Sequence, residues 1–137
     1  MIEFYSEEVE ELQQQEELSG WISDIIVREG CKEGDLTYIF CSDDYLLDIN
    51  VKYLKHNYLT DVISFDYSLG KTISGDIFIS VDRVRDNAVS FSKSFKDELH
   101  RVMAHGLLHF SGYNDKTEEE LLVMRNKEDY YLSLRTF

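Results

Sequence analysis

The sequence predicts an α+β fold: a single domain over residues 1–137, with a mixed sheet of about four strands covered by helices. A metal site is expected on a central helix and the turn after it. Three observations carry this reading. Apolar patterns of period 2 and period 3.6 are intermixed along the chain. Two strand-like runs flank the short turn Ser68-Leu69-Gly70-Lys71, which predicts an antiparallel hairpin. A length of 137 residues, 43% of them hydrophobic, is the usual size of one domain with a real core.

The elements follow in order. Ile2–Tyr5 reads as a short strand, and Ser6–Glu17 and Ser19–Glu29 as helices. The second helix turns Trp21, Ile22, Ile25 and Ile26 inward and stops at Gly30. Leu36–Cys41 alternates as a strand does. Ser42 or Asp43 can cap a helix to about Lys55, with Leu46, Ile49, Tyr53 and Leu54 as its apolar stripe. Asp61–Tyr67 and Gly75–Ser80 are the strands of the hairpin. Ser80 caps a helix through about Ser90, and Ser94-Phe95-Lys96-Asp97 opens the central helix. Thr117-Glu118-Glu119-Glu120 is a capping box for a last helix through about Leu134.

Composition narrows the class. Cys31 and Cys41 have no close spacing and read as reduced, buried thiols of a cytoplasmic protein. The start, Met1-Ile2-Glu3-Phe4, does not read as a signal peptide, and no run approaches the roughly 20 apolar residues of a membrane helix. There is no proline, no evident linker and no internal repeat. The net charge of −13 argues at face value against a nucleic-acid partner. Its distribution reverses that: residues 1–50 hold 14 acids against Arg28 and Lys32, a net of −12. The span 51–116 carries 9 bases and 8 acids, so the region of the candidate site is close to neutral and can meet phosphates.

His105-Gly106-Leu107-Leu108-His109, followed by Ser111-Gly112-Tyr113-Asn114-Asp115, is the segment with the most chemistry. Two imidazoles four residues apart on a helix share a face and can hold one metal ion between them. The pair alone is a weak signal, and a structural or solvated pair is the alternative. Three features favour the metal: the flanks are helical, Gly112 sits where a helix would stop, and Asp115 follows the turn as a third ligand. Three ligands leave an open position, as a hydrolytic site requires, and zinc suits a His₂-carboxylate set, with other divalent ions possible. Gly106 occupies the position where His-Glu-x-x-His proteases carry their base, which disfavours peptide hydrolysis. Gly106 also costs roughly 1 kcal/mol of helix propensity, which suggests a close approach to the neighbouring sheet. Arg101 lies one turn before His105 on the same stripe, whereas His100 points elsewhere and reads as surface.

The His-Gly-x-Leu-His-x-x-Gly-Tyr pattern resembles the YbeY family of bacterial endoribonucleases. Asn50 with Tyr53, Thr60-Asp61-Val62-Ile63-Ser64-Phe65 and Gly75-Asp76-Ile77 match in order upstream, and Met124 and Glu128 lie on a terminal helix of the family's kind. The resemblance spans nearly the whole chain. It implies a metal-dependent endoribonuclease of single-stranded RNA, acting in the maturation of the small-subunit rRNA 3′ end and in ribosome quality control. It also implies that His105 and His109 are catalytic as well as ligands, and that Thr60, Asp61 and Ser64 line the substrate site; Arg101, from its place on the helix stripe, is a further substrate contact, with a solvated arginine as the alternative. A turn-forming Thr-Asp pair at a strand start is the alternative for Thr60-Asp61. Two positions depart from the family pattern. Asp115 stands where a third His is usual, and Leu54 stands where an Arg usually follows the Tyr. Lys55 and His56 are the nearest cations that could replace that Arg. Two other readings remain open: a non-catalytic ribosome assembly factor with a structural metal and a ribosomal-protein partner, or a metal-dependent hydrolase of another substrate.

Overall fold

The computed structural model describes all 137 residues. Its elements are β1 (Ile2–Glu7), α1 (Gln15–Arg28), β2 (Lys32–Cys41), α2 (Asp43–Ile49), a π-helical turn (Asn50–Leu54), β3 (Val62–Asp66), β4 (Thr72–Ser80), α3 (Val81–Ser90), α4 (Phe95–Phe110) and α5 (Glu118–Ser133). The four strands form one mixed sheet in the order β1-β2-β4-β3. β1 and β4 run parallel to β2, and β3 is antiparallel to β4, with Ser64 opposite Ile77. The expected α+β architecture and hairpin are therefore present.

Sequence and structure differ at four elements, one of them β2, which begins at Lys32 rather than Leu36. Ser6–Glu17 is not a helix: β1 continues to Glu7, and α1 begins only at Gln15. The β1 extension is ladder-driven, since Ser6 and Glu7 pair with Phe40 and Cys41, and this outweighs a glutamate-rich local preference for helix. β4 begins at Thr72 rather than Gly75, because Leu69 and Thr72 close the hairpin with mutual backbone bonds of 3.1 Å. The helix expected to run to Lys55 is regular only to Ile49 and then widens into the π-helical turn.

One face of the sheet carries the main core. Ile22, Ile25 and Ile26 of α1 and Met103, Leu107 and Leu108 of α4 pack with Tyr38 of β2 and Ile77 and Ile79 of β4. Two buried side-chain bonds tie the layers. The Tyr38 hydroxyl donates to the Met103 carbonyl at 2.9 Å, and the Trp21 indole donates to the Tyr131 carbonyl at 2.8 Å. A smaller cluster of Cys41, Leu46 and Ile63 forms under α2. Cys41 is buried, as expected, but Cys31 is only half-buried; both are free thiols. No helix is long and apolar enough to cross a membrane.

His100 is not on the surface: it is 3% exposed, packed against Trp21 and Phe137. Arg135, beyond the end of α5, donates to its Nδ1 at 2.7 Å. The C-terminal residues fold back over α4 and cover a position that helical periodicity alone leaves open. Burial, with Arg135 and Lys96 nearby, lowers the His100 pKa to about 4.

Candidate metal centre

α4 positions the site, and Gly106 sets its depth. A Cβ at Gly106 would stand 3.1 Å and 3.2 Å from Ile77 carbons, so the missing side chain lets the helix lie close on β4. This is the close approach that the glycine suggests in the sequence. The same helix stripe carries Glu98, Arg101, His105 and His109 along the edge of the packed face. α4 ends at Phe110, and Gly112, at φ +107, reverses the chain. The Tyr113 amide donates back to the Leu108 carbonyl at 3.1 Å, which holds the turn against the helix end and brings Asp115 over the histidines.

Three donor atoms converge there. His105 Nε2 and His109 Nε2 are 3.0 Å apart, and Asp115 Oδ2 lies 3.2 Å from each. His105, His109 and Asp115 form the cluster that could hold a metal ion. The opposite ring nitrogens are both engaged. His109 Nδ1 is 2.9 Å from the Tyr113 carbonyl, and His105 Nδ1 is 2.7 Å from Glu128 Oε2. A carbonyl can only accept, so Nδ1 of His109 carries the proton and its Nε2 is a bare lone pair. The same holds for a neutral His105 facing the Glu128 carboxylate. With both rings neutral, three electron-rich atoms face one another with no donor among them, an arrangement that a metal ion or a proton on His105 relieves. Donors at tetrahedral angles on a zinc ion stand roughly 3.4 Å apart, so the spacing also fits.

Two buried carboxylates stabilise this arrangement. Glu128 is 4% exposed and also receives Arg101 Nη1 at 2.9 Å, while Arg101 Nη2 pairs with Asp129. Burial opposes a charged His105, but the bond to Glu128 and the surrounding carboxylates outweigh it and raise its pKa. Glu29, at the end of α1, accepts from the Tyr113 hydroxyl at 2.6 Å, from Tyr131 and from Lys127 at 3.1 Å. Burial opposes ionisation of Glu29, yet these donors lower its pKa below the usual carboxylate value. Glu29 fixes the Tyr113 side chain, whose carbonyl in turn orients His109.

The other residues singled out in the sequence are dispersed. Asp61 is half-buried just before β3; its Oδ2 accepts from Asn87 at 3.3 Å, and it lines a cavity of about 200 Å³ that also borders His105 and Arg101. Thr60 precedes it, half-buried, and Ser64 is exposed on β3. Lys55 is exposed with a left-handed backbone, φ +57, at the end of the π-helical turn. His56 stacks on Tyr58, with Nδ1 3.0 Å from the tyrosine hydroxyl. Neither lines the cavity beside His105. A larger cavity, about 470 Å³, lies between residues 9–14 and the start of α4, away from the three donors. Glu128 and Glu29 have no local sequence signal for their roles: their partners lie 23 and 84 residues away.

The chain is similar to known proteins over nearly its whole length. The sequence model of the family described as Endoribonuclease YbeY matches residues 2–135. Proteins named Endoribonuclease YbeY from Flavobacterium johnsoniae and Flavobacterium psychrophilum are 51% and 52% identical over 134 residues, 98% of this chain and 96% of each relative. One from Cytophaga hutchinsonii is 52% identical over 136 residues, 98% of this chain and 95% of its own length. The solution structure of TM1509 from Thermotoga maritima is similar in fold, with a TM-score of 0.70 at 25% identity, covering 97% of this chain and 87% of that one.

Proposed function

The chain belongs to the YbeY family of endoribonucleases, and on that premise we propose that it is a zinc-dependent hydrolase of phosphodiester bonds in single-stranded RNA. Its place is then the cytoplasm, in maturation of the small-subunit rRNA 3′ end and in ribosome quality control. The acidic first 50 residues suit contact with basic ribosomal proteins.

The observation that carries the reading is the convergence of His105 Nε2, His109 Nε2 and Asp115 Oδ2 with both Nδ1 atoms already bonded. Those three residues would hold the ion. Bound there, a zinc ion supplies Lewis acidity toward a phosphate oxygen or an attacking water. The rest is the work of the protein. Glu128, anchored by Arg101, holds the His105 ring in one tautomer, and the Tyr113 carbonyl does the same for His109. Asp61 lines the substrate side of the cleft, with Thr60 and Ser64 along the same strand entrance. Arg101 neutralises Glu128 and Asp129, so it acts on the site through them. Lys55 or His56, both exposed and close in sequence to the position of the family's arginine, takes that arginine's place toward the scissile phosphate.

Cleavage of a single-stranded oligoribonucleotide tests the proposal. Activity should stop on chelation and return with added zinc, and a duplex of the same sequence should resist. Undiminished cleavage in chelator, with the metal removed, would refute the metal-dependent reading.

A further inference from the structure

Glu98 is the one buried charged side chain that the site described above does not use. It is 5% exposed as a residue and sits two turns before His105 on the same stripe of α4; its carboxylate forms no hydrogen bond within the protein, and its oxygens stay open to solvent. It borders the cavity of about 200 Å³ whose other end is formed by His105. Arg125, exposed on α5, stands on the same wall without a carboxylate partner, and Phe91, 56% exposed, offers an aromatic edge at the mouth. Since no buried side-chain oxygen of the protein lacks a partner, the Glu98 oxygens open into the cavity, where a donor from an incoming group can reach them. Burial does raise the pKa of Glu98, with Arg101 opposing, as expected for a carboxylate that lacks donors.

The missing partner has a definable chemistry. Ligand sites usually measure roughly 300–1,000 Å³, so this cavity suits a single planar ring system rather than a whole nucleotide. Single-stranded RNA is read by splaying bases into such pockets, where they stack on aromatic rings and bond through their Watson–Crick edges. Guanine alone among the four bases presents two adjacent N–H donors on that edge, at N1 and the 2-amino group, matching the two oxygens of a carboxylate. Glu98 and His105 lie about 10 Å apart along the helix axis, at 1.5 Å per residue. A base at Glu98 thus belongs to a nucleotide beside the phosphate at the histidines, with Arg125 placed for a neighbouring phosphate.

We propose that this cavity is a guanine subsite, in which the Glu98 carboxylate accepts from N1–H and the 2-amino group of a guanine flanking the cleaved bond. The proposal rests on the endoribonuclease reading above and adds base specificity to it. The test uses the full zinc-loaded chain and oligouridylates carrying a single G, A, C or inosine on either side of the cleavage position. The kcat/KM for the G substrate should exceed that for A by at least about tenfold, with inosine, which lacks the 2-amino group, in between. In Glu98→Gln the amide presents a donor to the guanine edge, so the G-to-A ratio should fall toward one. A purely structural Glu98 would lower both substrates in proportion and leave the ratio unchanged, which overturns the proposal. So does a parent protein that cleaves all four substrates equally, although the endoribonuclease reading then stands. Failure to cleave any of them removes that reading and this inference with it.

Discussion

Glu128 Oε2 lies 2.7 Å from His105 Nδ1, so a carboxylate from the last helix fixes the ring of a candidate metal-ligating histidine 23 residues earlier. The same carboxylate receives Arg101, one turn before that histidine, at 2.9 Å. The three residues form a chain from a half-buried guanidinium to the donor atom. Such outer partners typically contribute 10–100-fold to metal affinity. Glu128→Gln, which keeps the shape and removes the charge, should weaken zinc binding by roughly tenfold in a chelator competition while the protein stays folded. Equal affinity in the two proteins would mean that Glu128 only packs.

Asp115 is the position where the chain departs from the usual third histidine of its family. An anionic ligand donates more charge to the ion than a neutral imidazole and so reduces its acidity. Asp115→His should retain metal and shift the pH–activity profile to lower pH. A superimposable profile, with metal still bound, would show that the third ligand does not tune the reaction.

The second departure places Leu54 where an arginine is usual. Lys55→Ala or His56→Ala should lower RNA cleavage by at least about tenfold, equivalent to about 1.4 kcal/mol of transition-state stabilisation, with metal content unchanged. Single-turnover rates at saturating RNA measure this directly. Parent-like rates in both variants would assign the missing charge to another residue.

Much of this was legible in the sequence, and the exceptions share a cause. Local signals located every strand and all five α-helices, because capping residues such as Ser80, Ser94 and Thr117 and the stripe of α1 act within one turn. The three donors were legible too, since a His pair at four residues and a glycine-terminated turn are local devices. Ser6–Glu17 reads as one helix, but strand pairing takes Ser6 and Glu7, and the left-handed backbones of Glu8 and Gln14 keep the stretch between them out of α1. His100 was misread because a chain end 35 residues away covers it. Glu29 and Glu128 gain their contacts only through the tertiary packing of α1, α4 and α5, which no spacing rule encodes.

His100 gives a pH signature of folding. Its ring is held neutral by burial and by the Arg135 guanidinium donating to Nδ1, with a folded pKa of about 4 against an ordinary 6.5. Between those values the unfolded chain binds a proton that the folded protein refuses, so stability falls as pH drops from about 6.5 to 4. The loss is on the order of 3 kcal/mol. Denaturant unfolding across that range should show the decline, and His100→Phe, which keeps an aromatic ring between Trp21 and Phe137, should flatten it. An equal decline in the variant would assign the acid sensitivity to other groups.

X-ray absorption at the zinc edge of the metal-loaded protein tests most directly whether His105, His109 and Asp115 form one metal centre. The account predicts about one zinc per chain, with two imidazole nitrogens and carboxylate oxygen at roughly 2.0–2.2 Å and no sulfur. The Asp115→Ala spectrum should keep both imidazoles and lose the carboxylate. A sulfur shell near about 2.3 Å, or a single imidazole in the parent protein, would contradict it.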